Sequence, residues 1–387
     1  MQCYYNNHMN EAIQKSKHRL RSWFLICPIR HILSLLGGIV ICAYFSLRNQ
    51  RSWMQTVSDR LVRPWHRFMS RLCSHVSFSV AEVCIALAVI LSLLYIVIFI
   101  IRLIRSPHRL QRVYRFFMTC LAAFAVIYGG FCLLWGAYYY SADFEDQSGI
   151  RGAPASVEQL TAVTRYFTLL VNRYDAMIRR DENGSFAESI DDAFSASPQL
   201  FTAVETDVPC LSGDPLRAKP IRFSRVMSYI NFTGFFFPFT GEANINTDSP
   251  ACLIPATIAH ELAHQRGVAE EDEANFVAVL ASLESADPVY CYSACLLAYI
   301  HLGNALYSAD RDAWRENYQL LEDGPRHDLD ENNQYWKQFD TPVSTVSDQV
   351  YTGFLQSYGQ TLGLKTYGKC VDLLIAYYYR PAEEAIS

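Results

Sequence analysis

The segment His260-Glu261-Leu262-Ala263-His264 sets two imidazoles four residues apart, with a carboxylate directly after the first. On a helix, residues four apart share a face, so both rings can grip one metal ion while Glu261 reaches a water bound to it. The ion that suits this donor set is Zn2+, which lowers the pKa of such a water towards about 7. The carboxylate beside it can then act as general base and pass the proton on to a leaving amine. Three fixed positions make a short pattern that chance also produces, so the flanking residues matter. Pro255 suits a first helical turn, while Thr257, Ile258, Ala259, Leu262 and Ala263 fill the back of the helix. Gly267 is placed to end it in the left-handed region.

A hydrolytic zinc needs a third protein ligand and one open position. Glu270, Glu271 and Glu273 compete. Gly267 matches the glycine of the metzincin pattern HExxHxxGxxH, but Glu270 stands where that pattern has its last histidine. Glu271 begins Glu-Asp-Glu-Ala-Asn275, which resembles the ExxAN element of gluzincin-type peptidases. We take Glu271 as the ligand, because Asn275 lies one turn further on the same face and can support a ligand from behind. Only seven residues separate His264 from Glu271, so the chain must reverse sharply at Gly267. Glu270 and Asp272 are read as carboxylates favoured by the helix N-terminus. An oxyanion donor is also wanted; His301, His327, Arg326 and Tyr367 are available, and none is assigned.

The elements that position these residues are mostly helical. Ser156 and Gln159 form a capping box, after which Leu160, Val163, Phe167, Leu170, Val171 and Tyr174 repeat at helical spacing. From Pro255 onward the pattern predicts helices over 255–266, 270–285, 289–305, 312–322, 346–361 and 366–379. Between Arg222 and Asp248, β-branched and aromatic residues punctuated by Gly234, Pro238 and Gly241 predict short strands, with 241–247 as an edge strand.

Ahead of this lies a different kind of chain. Up to Tyr140 there are sixteen Lys/Arg against three acidic residues; beyond it, seventeen against thirty-five. The arginines flank long apolar runs instead of forming a continuous stripe, which excludes a nucleic-acid surface and fits membrane flanks. Transmembrane helices are expected near 28–47, 82–104 and 116–140, the second and third containing uncharged runs long enough for a hydrocarbon core of about 30 Å. Trp135 and Tyr138–Tyr140 read as an interfacial aromatic belt.

An N-inside arrangement keeps Lys15, Lys17, Arg19, Arg21, Arg30 and the loop Arg102–Arg115 in the cytoplasm. The six arginines between Arg48 and Arg71 then lie outside, on a segment able to form an amphipathic surface helix. The expected organisation is a membrane region over 1–140, a linker over 141–155, and a helical domain with a small β-sheet over 156–387, facing away from the cytoplasm at the cell membrane. In the acidic part Cys210, Cys252, Cys291, Cys295 and Cys370 form an odd set, read as packing residues.

The stretch Phe237-Pro-Phe-Thr-Gly-Glu-Ala-Asn-Ile-Asn246, then His260 to Phe276, behind three membrane helices, resembles a bacterial membrane family known as domain of unknown function 3810. The Glu-x-Glu-Ala-Asn-Phe element is also similar to that of the soluble ImmA/IrrE-type metallopeptidases. These resemblances imply a mainly α, zincin-like fold and a zinc peptidase, with His260, His264 and Glu271 as ligands, Glu261 as base and a peptide or protein as substrate. In zincins the strand before the active helix pairs with extended substrate, which implies backbone addition at Asn244, Ile245 and Asn246. The alternatives are a receptor or transducer that senses or cleaves itself, and a scaffold braced by zinc.

Overall fold

The computed structural model describes residues 24–357 and 368–386; Lys15, Lys17, Arg19, Arg21 and Tyr367 lie outside the described residues. The chain is mainly helical, and it divides into two units. The first comprises residues up to Gln50 together with Cys84–Leu134, the second Arg51–Val83 and Trp135 onward.

Three long helices supply the first unit. They are α1 (Pro28–Leu47), most of α4 (Val80–Arg105) and α5 (Arg109–Phe131), with the helices α2 (Arg51–Val57) and α3 (Arg63–Cys73) intervening in sequence. Helices α1 and α5 meet through small residues: a Cβ on Gly37 would fall 2.5 Å from the Ala125 carbonyl oxygen, and Gly129 faces Gly37 in turn. Close backbone approach of this kind is how apolar helices associate where burial from water gives no drive. His31 Nε2 meets the Tyr114 hydroxyl at 2.7 Å, and Phe99 stacks on Phe116. Among the described residues four helices are long and apolar enough to cross a membrane: α1, α4, the stretch Arg109–Gly136, and Pro288–Ala309. The last has 72% of its apolar window buried inside the second unit, against none for α4, so its hydropathy serves a protein core.

The second unit is built on helices α6 (Phe144–Ser148), α7 (Val157–Asp175), α8 (Ile254–Gln265), α9 (Glu271–Ser285), α10 (Pro288–Ala309), α11 (Arg311–Gln319), α12 (Asp323–Lys337), α13 (Pro342–Ser357) and α14 (Gly368–Ile386). Its sheet has three strands, β1 (Lys219–Pro220), β2 (Gly234–Phe237) and β3 (Glu242–Ile245), in the order β1-β3-β2. The capping box at Ser156 and Gln159 forms as its residues predict, and α7 buries Leu160, Val163, Phe167 and Val171. Helix α8 sits between this core and the sheet, with Ile258, Ala259, Leu262 and Ala263 fully covered. Among the described residues the cysteines are free thiols, and Cys252, Cys291, Cys295 and Cys370 are buried in the core.

Four expectations are corrected. First, β3 is not an edge strand: β1 pairs with it in parallel (Lys219 with Asn244) and β2 antiparallel (Gly234 with Ile245). Asn244, Ile245 and Asn246 are fully buried, and both edges of their strand are occupied, so no substrate strand can add there. Their amides serve the fold instead. Asn244 Oδ1 accepts from Ser79 Oγ at 2.6 Å, and Asn246 Nδ2 donates to the Phe232 carbonyl at 2.9 Å. Second, 141–155 is not a free linker. Asp143 caps α6, Phe144 is buried, and the Phe144 N–H donates to the buried Glu273 carboxylate at 3.0 Å. A buried carboxylate needs donors, and this backbone supplies them.

Third, Trp135 and Tyr138 are buried in the second unit, against Phe236 and His66 respectively, so they are core residues and no interfacial belt. Fourth, residues 51–83 belong to the second unit and not to a membrane region ending at 140. Helices α2 and α3, continuous through a wider turn at Ser58–Val62, bury Met54, Ser58, Val62, His66, Ser70 and Cys73 at helical spacing. Their carboxyl end is held by Lys219 Nζ, which donates to the Cys73 carbonyl at 3.2 Å. Ser79 then caps α4, accepting from the Glu82 N–H. The buried Glu242 carboxylate accepts from the Val80 and Ala81 N–H groups at 3.1 and 2.8 Å.

His66 gives this packing a pH signature. Burial lowers its pKa to about 3, so the ring is neutral in the fold, while in the unfolded chain it takes a proton below about 6.5. Stability from this group is therefore present above pH 6.5 and falls by up to about 1.4 kcal/mol per unit as pH drops towards 3. The unfolding temperature of the purified chain should fall more steeply between pH 6.5 and 4.5 than that of His66→Gln; equal slopes would exclude this assignment.

Candidate metal centre

Helix α8 opens with Pro255 in its first turn and stops because Gly267 adopts φ +92°, a conformation that disfavours a side chain. A Cβ there would also come within 3.2 Å of the Tyr138 ring. The reversal brings the next helix back at once, so Glu271, first residue of α9, faces the helix it has just left. Its Oε2 lies 3.2 Å from His260 Nε2 and 3.6 Å from His264 Nε2. A tetrahedral ion with bonds of about 2.0–2.1 Å has ligand atoms about 3.3 Å apart, so these separations suit a common zinc. The seven-residue spacing that strained the assignment is met by one glycine.

The remaining ring nitrogens settle which atoms are free. His260 Nδ1 donates to Asn275 Oδ1 at 2.9 Å, and His264 Nδ1 donates to the Val268 carbonyl at 2.6 Å. With both Nδ1 atoms acting as donors, both Nε2 atoms are turned to the Glu271 side. Asn275 thus stands behind His260, one turn along α9 as its spacing predicts. Of the competing carboxylates, Glu270 and Glu273 turn away to Lys369, whose ammonium lies 2.6 and 3.0 Å from them and 3.2 Å from Glu145. Asp143, Glu145 and Glu273 also lie close enough to share an ion. Lys369 pairs with two of these three carboxylates, and the Phe144 and Glu145 N–H groups donate to Glu273.

Charge and burial are unbalanced at the centre. Burial pushes the Glu261 carboxyl up to about 7, against the pull of His260 and His264, and its Oε2 has no hydrogen-bond partner. Burial alone would raise Glu271 as well, but charge and hydrogen bonds from His264 and His260 hold it well below the usual carboxylate range. Burial lowers His264, yet Glu271 and Glu261 outweigh it and carry the ring up to about 9. In the metal-free protein His264 and Glu271 therefore form an ion pair that a divalent ion would replace, with release of the imidazole proton.

Two groups at the centre carry no sequence signal. Tyr351, on α13, donates from its hydroxyl to Glu271 Oε1 at 2.6 Å and packs its ring on Phe232 and Phe354. Trp135 sets its ring edgewise to His264 at 5.6 Å. Neither has a local motif, and Tyr351 is one of 24 tyrosines, eighty residues from its partner. Of the donors considered from sequence, His301 is buried and lowered to about 4, first by burial and then by the charge of His260. His327 contacts Ser185 on the surface, and Arg326 donates to the Gln319 carbonyl.

The strand β2 crosses this helix so closely that a Cβ on Gly234 would fall 2.7 Å from Glu261 Oε1. These features define a mainly helical protein with several helices long and apolar enough to cross a membrane, and a partly buried His-His-Glu cluster in its second unit. The chain belongs to the family described as a protein of unknown function (DUF3810), which matches residues 57–375. No curated protein and no solved structure matches it.

The role of Asn275 is open to direct measurement. Zinc titrated into the purified chain against a chelating dye should bind at one site per chain, and Asn275→Ala should weaken it about 10–100-fold without loss of helix content by circular dichroism. Unchanged affinity would show that Asn275 does not orient His260.

Proposed function

We propose that this chain is a zinc-dependent peptidase held at the cell membrane, with His260, His264 and Glu271 as ligands and Glu261 as general base. The observation that carries the reading is the pair of Nε2–Oε2 separations, each close to a tetrahedral edge, beside a buried carboxylate with an unpaired oxygen. Burying a carboxylate without its full set of donors costs several kcal/mol. A site that only braced the helices would have no use for that cost, which argues against a structural zinc.

Zinc bound there would supply a Lewis acid and a water acidic enough to ionise near neutral pH. Glu261, with a pKa near 7, is matched to take a proton from that water and return it to a leaving amine. Tyr351 holds Glu271 by Oε1, leaving Oε2 directed at the imidazoles, and we assign its hydroxyl as the oxyanion donor. The outer edge of β2 has no strand partner among the described residues, and Gly234 of the same strand packs against Glu261, so an extended polypeptide pairing along that edge would run beside the base. The Lys/Arg distribution supports placing this unit on the non-cytoplasmic side.

Glu261→Gln should retain bound zinc while hydrolysis of a fluorogenic peptide library falls by about 10³-fold or more. Tyr351→Phe should retain zinc and lower kcat by about 10²-fold. Zinc-loaded, folded protein that cleaves no peptide in the library would overturn the reading.

A further inference from the structure

The helical stretch 51–73 has a second face that the fold leaves uncovered. Leu61, Trp65, Phe68 and Leu72 follow at spacings of four, three and four, which puts them on one strip, and Trp53 is exposed on the same stretch. Phe68 is 63% exposed and Leu72 56%, large values for side chains that would ordinarily be covered. The stretch carries five arginines against one acidic residue. Arg51, Arg63 and Arg71 pair with Asp146, Asp59 and Asp214. Arg67 donates to the Ser212 carbonyl, and among the described residues no carboxylate lies within ion-pair distance of Arg60.

Chain connectivity says what covers such a face. The apolar helix α1 ends at Leu47, four residues before Arg51, and α4 begins at Val80, seven residues after Cys73. Both are long and apolar enough to cross a membrane. A segment tied at both ends to such helices cannot lie far from the bilayer, at about 3.3–3.6 Å of reach per residue. Trp and Leu on one strip with Arg on the adjoining flank is the composition of helices that lie in the interface, where arginines meet anionic headgroups.

We propose that this face rests on the bilayer, with Trp65, Phe68 and Leu72 at the level where headgroups meet acyl chains and Arg60 against lipid phosphates. The opposite face of the same helix packs on the β2–β3 hairpin: His66 meets the Phe236 ring edgewise at 5.0 Å, and a Cβ on Gly241 would fall 2.7 Å from the His66 carbonyl oxygen. The free edge of β2 is therefore held about one helix diameter, about 10 Å, from the membrane surface.

The full-length chain carrying photoreactive p-benzoylphenylalanine at Trp65, Phe68 or Tyr307, reconstituted in phosphatidylglycerol-containing vesicles, tests this without reference to catalysis. Tyr307 is an exposed aromatic elsewhere on the same unit, and the same label at Leu91 in α4 gives the full lipid yield. Irradiation should give phospholipid adducts at 65 and 68 at least about tenfold above those at 307. Lipid adduct at 65 and 68 no greater than at 307, or crosslinks there to a second copy of the chain in place of lipid, would overturn the proposal. Circular dichroism of each labelled protein confirms that it is folded.

Discussion

The left-handed turn at Gly267 is the constraint on which the site depends. It ends α8 within three residues of His264 and returns the chain so that Glu271 heads the next helix facing the imidazoles. Any side chain at that position meets both an unfavourable φ and the Tyr138 ring. Around this turn the burial of polar groups is accounted for almost atom by atom. Each imidazole gives one N–H to a fixed acceptor, Glu271 gives one oxygen to Tyr351, and the leftover lone pairs converge. Glu261 keeps one oxygen without a partner.

The neighbouring acidic residues show how one run can be divided between chemistry and structure. Glu270, Glu271 and Glu273 occupy one turn at the start of α9, where the helix macrodipole favours all of them. Lys369, arriving from α14, takes Glu270 and Glu273 together with Glu145 and leaves Glu271 alone to the histidines. A single lysine thus separates Glu271 from its neighbours, and Glu273 ties the chain after Trp135 to the same cluster by accepting from the Phe144 and Glu145 N–H groups.

What could be read from sequence was what lies within a few residues. The i,i+4 histidines, Pro255, Gly267, the Glu271–Asn275 pair and the Ser156 capping box are all local, and each is found with the geometry its spacing implies. The long apolar helices were legible for the same reason, as uninterrupted runs. What failed was non-local. Nothing in residues 241–247 says that Lys219 and Pro220, more than twenty residues earlier, will close the far edge of β3. Trp135 and the tyrosines after it have the composition of an interfacial belt, and only tertiary packing turns them inward. Tyr351 reaches Glu271 across eighty residues with no pattern to announce it.

The carboxylate of Glu242 belongs to β3 but ends its reach at the N–H groups of Val80 and Ala81. Pulling the first turn of α4 away from the sheet would strip a buried anion of both donors, a penalty of several kcal/mol. The strand and that turn consequently behave as one rigid joint. Ser79 on Asn244, and the Arg222 and Phe223 N–H groups on Glu82, fasten the same turn from two more sides, so the start of a long apolar helix and the sheet beside Glu261 move as one piece.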